Sequence, residues 1–465
     1  MQIPILNGIY TDESSDFRTS YPRNLIPVPK QQGISNGYLR PADGITDLGT
    51  GEGLDRGGIN WNGVCYRASG GQLIRVNSDG SIAIIGAIAG SSQVSFDYSF
   101  DYLSIGAGGN LYLYNGTTLQ QVTDVDLGNV IDHIWVDGYF MTTDGEFLIV
   151  TELNDPFAVS PLKYGSSEVD PDPIKAVLKV RSEPYALNRY TIEVFGNVGG
   201  SGFPFQRVDG AQIQRGVVGT HACANFLESI AFVGGGRNEP IAIWFVTNGA
   251  STKISTREID QILQSHSDEV LSAVIVESRV DKSHQFLYAH LPDQTLVYDA
   301  SASQLLGESV WFTLSSGLGV QQYRARNFVW CYSKWVVGDP QTSKIGVLSN
   351  DVATHWGEIT EWEFGTIIIY GEGRGMIFHE LELVCLSGRV DLGKNPTILT
   401  QYSLDGETWS MQKYISAGKQ GQRNKRLVWL NQGSMRHWRI QRFIGTSDSR
   451  LSIARLEARI EPLAV

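Results

Sequence analysis

The spacing of tight turns along this chain constrains its fold more than any other feature. Short runs of β-branched and aromatic residues, such as residues 190–195 and 241–246, are bounded by turn residues and indicate strands. Asp-Gly and Asn-Gly pairs between them tolerate the positive φ angles of hairpin turns. The centres of these strand-turn-strand units are 36 to 58 residues apart. They fall near Gly71, Gly109, Gly145, Gly199, Gly235, Asp293 and Asp339.

A propeller blade of four short strands needs about 40 to 50 residues, which is close to this spacing. The units share a pattern but no common signature, such as a Trp-Asp pair or a kelch Gly-Gly pair. The sequence therefore predicts an all-β fold in which residues 51–355 form an irregular β-propeller of about six blades.

Composition excludes several other classes of protein. The chain has 465 residues, of which 42% are hydrophobic and 18% charged, and this suits a globular protein with more than one ordinary core. Its apolar runs are only a few residues long, so no membrane span is expected. Residues 1–4 lack the pattern of a secretory signal, which predicts residence in a cytosol. Cys65, Cys223, Cys331 and Cys385 form no C-x-x-C motif and are expected to be buried free thiols.

Prolines and few periodic apolar residues mark the first 50 residues. Proline blocks regular ladders of hydrogen bonds, so residues 1–50 are predicted to form an extended arm that runs over a surface. Such an arm commonly touches a neighbouring molecule. The prolines are Pro4, Pro22, Pro27, Pro29 and Pro41.

One segment departs from the strand pattern. Residues 255–258 read Ser-Thr-Arg-Glu, which is the pattern of a capping box, and Ile259, Ile262 and Leu263 follow at helical spacing. This predicts a small helical insertion near residues 255–272, between two blades. The helix would either pack against its own blade or be exposed as a subunit contact.

The character of the chain changes again near Trp356. Alternating strands follow one another to the end of the chain, and Tyr402 and Trp409 flank the tight turn Asp405-Gly406. These strands predict a C-terminal β-sandwich-like domain over residues 356–465. A final blade with an extension is the alternative.

Charge is distributed unevenly along the chain. The formal net charge is −12, yet residues 412–459 carry eleven Lys and Arg against Asp448 and Glu457, so this segment has a charge of +9 and the rest −21. An acidic body with a basic end suits self-association or docking on a charged partner, because the body would repel the phosphates of nucleic acid. A solvated strand face is the alternative interpretation.

No catalytic or cofactor-binding motif is found. Zinc-protease, nucleophile-elbow, P-loop and Rossmann patterns are missing from the sequence. His284 and His290 would share one face of a strand, but no further ligand lies between them. Asp124 and Asp126 resemble the start of a calcium loop that lacks its terminal glutamate. We therefore expect no catalytic residue, no cofactor and no metal.

Two rival functions also fit a propeller. A glycosidase would need paired carboxylates held in a cleft, and Asp170 with Asp172 or Glu361 with Glu363 are the candidate pairs. A lectin would bind glycans through aromatic side chains at the blade tips. A glycan-active or glycan-binding propeller is therefore the alternative to a structural protein.

Three stretches together resemble one family. Asn24-Leu25 lies in the proline-flanked amino-terminal segment, and residues 37–46 follow as Gly-Tyr-Leu-Arg-Pro-Ala-Asp-Gly-Ile-Thr. Residues 290–304 read His-Leu-Pro-Asp-Gln-Thr-Leu-Val-Tyr-Asp-Ala-Ser-Ala-Ser-Gln. In these stretches the chain resembles the tail-hub, or packaged DNA stabilisation, proteins of short-tailed bacteriophages of the Salmonella tailspike type. The departures are greatest in loops and in the carboxy-terminal domain.

The resemblance implies a structural protein of the virion tail, assembled in the host cytoplasm. Proteins of this family are β-propeller hub subunits that form a ring of six below the portal and its adaptor ring. They help to close the channel after genome packaging and carry the needle or plug. The implied partners are other copies of the chain, the adaptor ring, the needle or plug, and the tailspikes, while genomic DNA faces the channel without sequence-specific binding. No chemical reaction is involved.

The uneven charge suggests how such a hub would work. The acidic body would line the channel, where like charge keeps DNA from sticking during ejection. The basic strands would dock on acidic surfaces of a neighbouring ring. The candidate docking residues are Arg423, Lys425, Arg426, Arg436, Arg439 and Arg442.

Overall fold

The computed structural model describes residues 2–6, 9–11, 18–30, 36–200, 202–247, 249–371 and 374–463, and most of them lie in strands. Within these ranges, no helix has the length and apolar character needed to cross a membrane. The first strands are β1 (Gln2–Ile3), β2 (Ile9–Thr11), β3 (Arg18–Ser20), β4 (Leu25–Pro29), β5 (Gly37–Pro41) and β6 (Gly44–Thr50).

Seven antiparallel sheets follow one another along the chain and form the blades of a β-propeller. Blade 1 consists of β7 (Asp55–Trp61), β8 (Val64–Ser69), β9 (Gln72–Val76) and β10 (Ile82–Ala87). Blade 2 consists of β11 (Ser95–Tyr98), β12 (Leu103–Ala107), β13 (Asn110–Tyr114) and β14 (Leu119–Gln121). Blade 3 consists of β15 (Asp132–Val136), β16 (Tyr139–Thr143), β17 (Phe147–Glu152) and β18 (Asp155–Ser166).

Blades 4 to 7 continue this order. Blade 4 consists of β19 (Ile174–Val180), β20 (Glu183–Asn188), β21 (Ile192–Asn197) and β22 (Phe205–Arg207). Blade 5 consists of β23 (Gly216–Val217), β24 (Cys223–Phe226), β25 (Ser229–Gly235), β26 (Ala242–Thr247) and β27 (Ala250–Lys253). Blade 6 consists of β28 (Ile275–Asp281), β29 (His284–His290), β30 (Thr295–Asp299) and β31 (Trp311–Leu314), and blade 7 contains β32 (Arg326–Cys331), β33 (Lys334–Gly338) and β34 (Lys344–Ser349).

The innermost strands of the blades close into a ring. Each contacts the inner strand of the next blade in the cyclic order β7, β11, β15, β19, β24, β28, β32 and back to β7. This confirms the predicted propeller and gives seven blades where about six were expected. Each of the seven turn centres predicted from the sequence falls in its own blade. The last blade has only three strands that are consecutive in the chain, so counting units of four consecutive strands gives fewer than seven blades.

The fourth strand of blade 7 comes from the start of the chain. β6 pairs with β34 from Gly44 opposite Ser349 to Thr50 opposite Lys344, so it joins the two ends of the propeller segment. β4 and β5 pair with each other and join the sandwich sheet through β43 (Ile453–Pro462). The predicted extended arm over residues 1–50 is therefore corrected, because residues 25–29, 37–41 and 44–50 are strands of two sheets.

The predicted helical insertion is present as two short helices, α1 (Arg257–Gln264) and α2 (Asp268–Ser272), between blades 5 and 6. Ile259 and Leu263 are buried against the blade, so α1 packs on the propeller. The capping box does not form, because the Ser255 hydroxyl donates to Asp260 instead (2.6 Å). A third helix, α3 (Ala300–Leu306), lies within blade 6 and begins at Asp299, whose carboxylate accepts a bond from the backbone N–H of Ala302.

The carboxy-terminal strands form the predicted sandwich of two sheets. Phe378 and Leu39 from one sheet pack with Phe364 and Phe443 from the other. The strands between β34 and β43 are β35 (Glu361–Gly365), β36 (Ile369–Tyr370), β37 (Met376–Cys385), β38 (Thr397–Ser403), β39 (Lys413–Ser416), β40 (Leu427–Leu430), β41 (Ser434–Met435) and β42 (Trp438–Thr446). One sheet has the order β4-β5-β43-β37-β40, and the other β35-β42-β38-β39.

Candidate functional site

A cavity of about 330 Å³ lies on the axis of the propeller. Residues of the inner strands of all seven blades line it, so it is the central channel of the ring of blades. Its lining contains three carboxylates, Asp97, Asp132 and Glu277, and one lysine, Lys179, which lies 3.6 Å from Asp97. Burial lowers the pKa of the lining histidines, His133 and His221, to about 4. The central channel is therefore acidic, and its charges lie where neighbouring blades meet.

The lining carboxylates bind the backbone of the next blade. Each accepts a hydrogen bond from N–H groups of the following inner strand, which would otherwise lack a partner at the edge of its sheet. The bonds are Trp135 N to Asp97 (2.6 Å), Val177 N to Asp132 (3.0 Å), and Asn327 N and Phe328 N to Glu277 (2.7 Å each). These acids thus hold blades 2 to 3, 3 to 4 and 6 to 7 together.

A buried histidine and serine lie beside this channel. His133 Nε2 is 2.8 Å from the Ser104 hydroxyl, which also donates to the backbone oxygen of Asp97. Burial lowers the pKa of His133 to about 4 and raises the pKa of Asp132 to about 6. The Asp132 carboxylate accepts bonds from the backbone N–H groups of His133 and Val177. Its bonds go to these backbone groups and to the Ser95 side chain and not to the imidazole ring, so Asp132 does not orient His133 as the carboxylate of a catalytic triad would.

The candidate carboxylate pairs of a glycosidase are already engaged. Glu361 and Glu363 both bind Arg23, at 2.5 and 3.0 Å. Asp170 pairs with the exposed Arg237 at 2.9 Å, and Asp172 accepts hydrogen bonds from the backbone N–H groups of Tyr190 and Thr191 in the β20–β21 turn. These contacts join segments of the fold, and the first pair fixes β35 against the amino-terminal segment.

The two histidines considered as metal ligands bind different partners. His284 contacts Asp299 (2.6 Å), and His290 contacts Thr295 (2.9 Å) and Glu277 (3.1 Å). In the ranges that the structure describes, no group of three His, Cys, Asp or Glu side chains could hold a metal ion.

Of the six predicted docking residues, Arg439 lies in the sandwich core. Its guanidinium stacks between the rings of Phe378 (4.3 Å) and Tyr402 (3.9 Å) and donates to Gln441 and to the backbone of Gln432. Burial lowers its pKa to about 9. Arg439 is therefore not part of a docking surface, which corrects the prediction for this residue.

Two further candidates, Arg442 and Arg426, contact carboxylates of the sandwich itself. Arg442 is half-buried, lies 3.8 Å from the ring of Trp409 and contacts Glu363 at 3.7 Å. Arg426 is exposed but binds Glu380 and Glu382 on the neighbouring strand. Both are already neutralised in part by carboxylates of their own domain.

The other three candidates lie at two ends of the same sheet. Arg436 is exposed next to β41, opposite the start of β37. Arg423 and Lys425 lie in the loop before β40, near the other end of β37. No ion pair of these three is found among the described residues. The six residues therefore do not form one surface.

The loop that carries Arg423 and Lys425 is tied to a second basic loop. The Ser387 hydroxyl donates to the backbone oxygens of Gln422 (3.1 Å) and Arg423 (3.2 Å), and Gly421 N donates to Gly388 O (3.2 Å). We call four cations of the two loops, Arg389, Lys419, Arg423 and Lys425, the basic tip. Lys394 and Arg426 of the same loops bind carboxylates and are not part of it. Sequence reasoning missed Arg389 because only folding brings the two loops together.

A pair of substitutions tests this division of the arginines. Arg439→Glu should lower the free energy of unfolding by about 3 kcal/mol or more, because a carboxylate would replace the guanidinium between two rings in a buried site. Arg423→Glu should change it by less than about 0.5 kcal/mol, because that side chain is exposed. Urea unfolding of both variants, followed by tryptophan fluorescence, measures the difference. Equal losses in the two variants would contradict the placement of Arg439.

Two family models match this chain. The one described as the β-propeller of bacteriophage P22 Gp10 matches residues 1–353, and the one described as the β-sandwich of P22 Gp10 matches residues 361–461. The tail hub protein gp10 of Salmonella phage P22 is 26% identical over 466 residues, which cover 96% of this chain and 95% of that protein.

Two solved structures are similar to this chain at lower sequence identity than the P22 protein. The WD40 domain of Pan2 from Neurospora crassa is 10% identical, with a TM-score of 0.40, and the match covers 66% of this chain and 96% of that one. BamB from Moraxella catarrhalis is 10% identical, with a TM-score of 0.39, and the match covers 75% and 98% of the two chains.

Proposed function

The chain belongs to the bacteriophage P22 Gp10 family of tail hub proteins, and we propose that it forms a ring below the portal and its adaptor. Its role is that of a structural component of the virion tail. In the proposal, the ring stabilises the packaged genome and forms part of the channel through which DNA is ejected. The observation that carries the proposal is similarity to the P22 tail hub protein along both domains and nearly the whole chain.

The connections between the amino-terminal segment, the propeller and the sandwich support a structural role under mechanical force. Packaged DNA presses outward, so a hub must resist force through extensive interfaces and not through a few side-chain bonds. In this chain β6 closes the propeller, and Arg23 links the amino-terminal segment to β35 of the sandwich. Propeller and sandwich are thus joined by several segments, which suits a part that holds its shape under load.

We infer the partners from the family. The ring would consist of six copies, bind the adaptor ring above, and carry the needle or plug and the tailspikes. Genomic DNA would pass without sequence-specific contacts, because a chain with a net charge of −12 repels phosphate. This role needs no chemical step.

Capsids that lack this protein test the proposal. Purified chain added to filled capsids that have the adaptor ring should add a ring below the adaptor, seen by electron cryomicroscopy, and should keep the genome inside. Capsids without an adaptor ring are the matched control and should bind no ring. Filled capsids that neither bind the chain nor retain DNA better in its presence would overturn the hub role.

A further inference from the structure

One stretch of the propeller sequence is strongly acidic, and Lys163 and Lys179 from outside it pair with Glu152 and Asp97. Residues 76–162 contain no lysine or arginine and eleven acidic residues, so this stretch of blades 1 to 3 is far more acidic than the rest of the chain. The eleven are Asp79, Asp97, Asp101, Asp124, Asp126, Asp132, Asp137, Asp144, Glu146, Glu152 and Asp155. Several of these acids lie in exposed hairpin turns, where a partner could reach them.

Three turns of this sector meet at one end of blades 2 and 3. The ring of Phe100 in the β11–β12 turn lies 6.4 Å from that of Trp135, which is two residues before Asp137 of the β15–β16 turn. Asn154 N in the β17–β18 turn donates to Gly138 O in the β15–β16 turn (3.2 Å). The turns therefore form one continuous surface. We call it the acidic patch, consisting of Phe100, Asp101, Asp137, Leu153 and Asp155.

The acidic patch has the composition of an interface and not of a solvated rim. Phe100 is 90% exposed and Leu153 is 54% exposed, and both lie among exposed carboxylates. Large apolar side chains surrounded by charge mark sites of protein association. A partner that fits this patch must bring positive charge together with apolar side chains.

The basic tip of the sandwich meets that requirement. Leu386 (54% exposed) and Leu392 (86% exposed) lie on the same pair of loops as the four cations. Asp391 of these loops and Asp448 of the β42–β43 turn both bind Lys394, at 3.7 and 2.6 Å. The cations of the tip thus have no carboxylate partner among the described residues.

We propose that the basic tip of one copy docks on the acidic patch of the next copy. The two surfaces differ, so the contact is head-to-tail, and such contacts generate a closed ring when the rotation between neighbours closes. The sequence alone suggested a partner in an adjacent ring for these cations, whereas the acidic patch provides a complementary surface on the chain itself. This inference rests on the proposed ring and names the contact that forms it.

Charge reversal on each side tests the contact. The tip variant is Arg423→Glu with Lys425→Glu, and the patch variant is Asp101→Lys with Asp155→Lys. Arg374→Glu with Arg436→Glu is the matched control, because both arginines are exposed at the far end of β37 from the tip. Sedimentation velocity of the full chain over a range of concentrations and salt gives the association constant, and circular dichroism checks folding.

Each reversed variant alone should associate at least about tenfold more weakly than the wild type, because like charges then face each other. An equimolar mixture of the tip and patch variants should recover association, since copies can alternate around a ring with opposite charges at every contact. The control should behave as the wild type, and salt near 0.5 M should weaken wild-type association through screening, with a Debye length of about 4 Å.

Three results would overturn the contact. They are a wild-type chain that stays monomeric at low salt up to its solubility limit, reversed variants that associate as the wild type does, and a mixture that recovers nothing. The capsid experiment is read separately. Reversed variants that still form rings on capsids would contradict the proposed contact and support the hub role. A chain that self-associates through the basic tip but does not bind capsids would contradict the hub role.

Discussion

A chain that starts at residue 51 is expected to yield no stably folded propeller. Such a truncation removes β6, which pairs with β34 as the outer strand of blade 7. It also removes β4 and β5 from the sandwich sheet. Blade 7 would be left with an open edge, and the two ends of the propeller segment would no longer be held together.

The size of this effect follows from the buried side chains that are lost. Leu25, Ile26, Leu39 and Ile45 are each at most 3% exposed. Burial of a side chain of this size contributes about 1.5–3 kcal/mol, so the four contribute about 6–12 kcal/mol. That range is comparable to the whole net stability of a typical domain, about 5–15 kcal/mol. We therefore expect the truncated chain to aggregate or to unfold in one broad transition below the melting temperature of the full chain.

A circular permutant provides the matched control. Gln2 pairs with Glu457, so residues 1–50 can follow residue 465 through a linker of about ten Gly and Ser residues. The permuted chain has all the side chains of the full chain and should melt close to it in scanning calorimetry. An arm that merely lies on the surface would give another result, namely a monodisperse truncated chain with the melting temperature of the full protein.

The blades could be predicted because their signals are local. Each hairpin is set by neighbouring residues, such as Asp137 and Gly138, which both have positive φ at the turn between β15 and β16. Turn chemistry of this kind is visible in the sequence alone. The pairing of β6 with β34 joins residues about 300 positions apart, and nothing local encodes it.

The prolines of the amino-terminal segment were a misleading signal for a physical reason. Pro27 and Pro29 lie in β4, which is the edge strand of its sheet. A proline lacks the N–H that an inner strand must donate, but an edge strand can tolerate it. Pro27 and Pro29 therefore indicated an edge strand and did not exclude a strand as such, while Pro41 is the last residue of the inner strand β5.

The burial of Arg439 could have been predicted in part. Along β42, Arg439, Gln441 and Phe443 alternate on one face and are all buried. Period-two spacing from a core phenylalanine therefore pointed to this arginine as an inward-facing residue. The net charge of residues 412–459, however, does not distinguish buried from exposed arginines. The basic tip, in contrast, depends on hydrogen bonds between two distant loops and could not be read from spacing.

Asp55→Ala should be among the most destabilising single substitutions in the propeller. Arg67 is fully buried, and its Nε and Nη2 donate to the two Asp55 oxygens at 2.7 and 2.8 Å. Asn327 of blade 7 donates to the same carboxylate (2.6 Å) and accepts from Arg67 (3.2 Å), so this cluster joins the first blade to the last. Loss of the carboxylate leaves a buried guanidinium without its counter-ion, which costs about 3–5 kcal/mol.

Thermal unfolding at a fixed scan rate measures this effect, with Asp47→Ala as the control because Asp47 is exposed on the neighbouring β6. The control should melt within about a degree of the wild type, since exposed substitutions shift stability by less than about 0.5 kcal/mol. The double variant Asp55→Ala with Arg67→Met should be more stable than Asp55→Ala alone, because no unpaired charge then remains buried. If the double variant were the less stable of the two, the cost would come from lost packing around Asp55, and the paired charge would not be what holds blades 1 and 7 together.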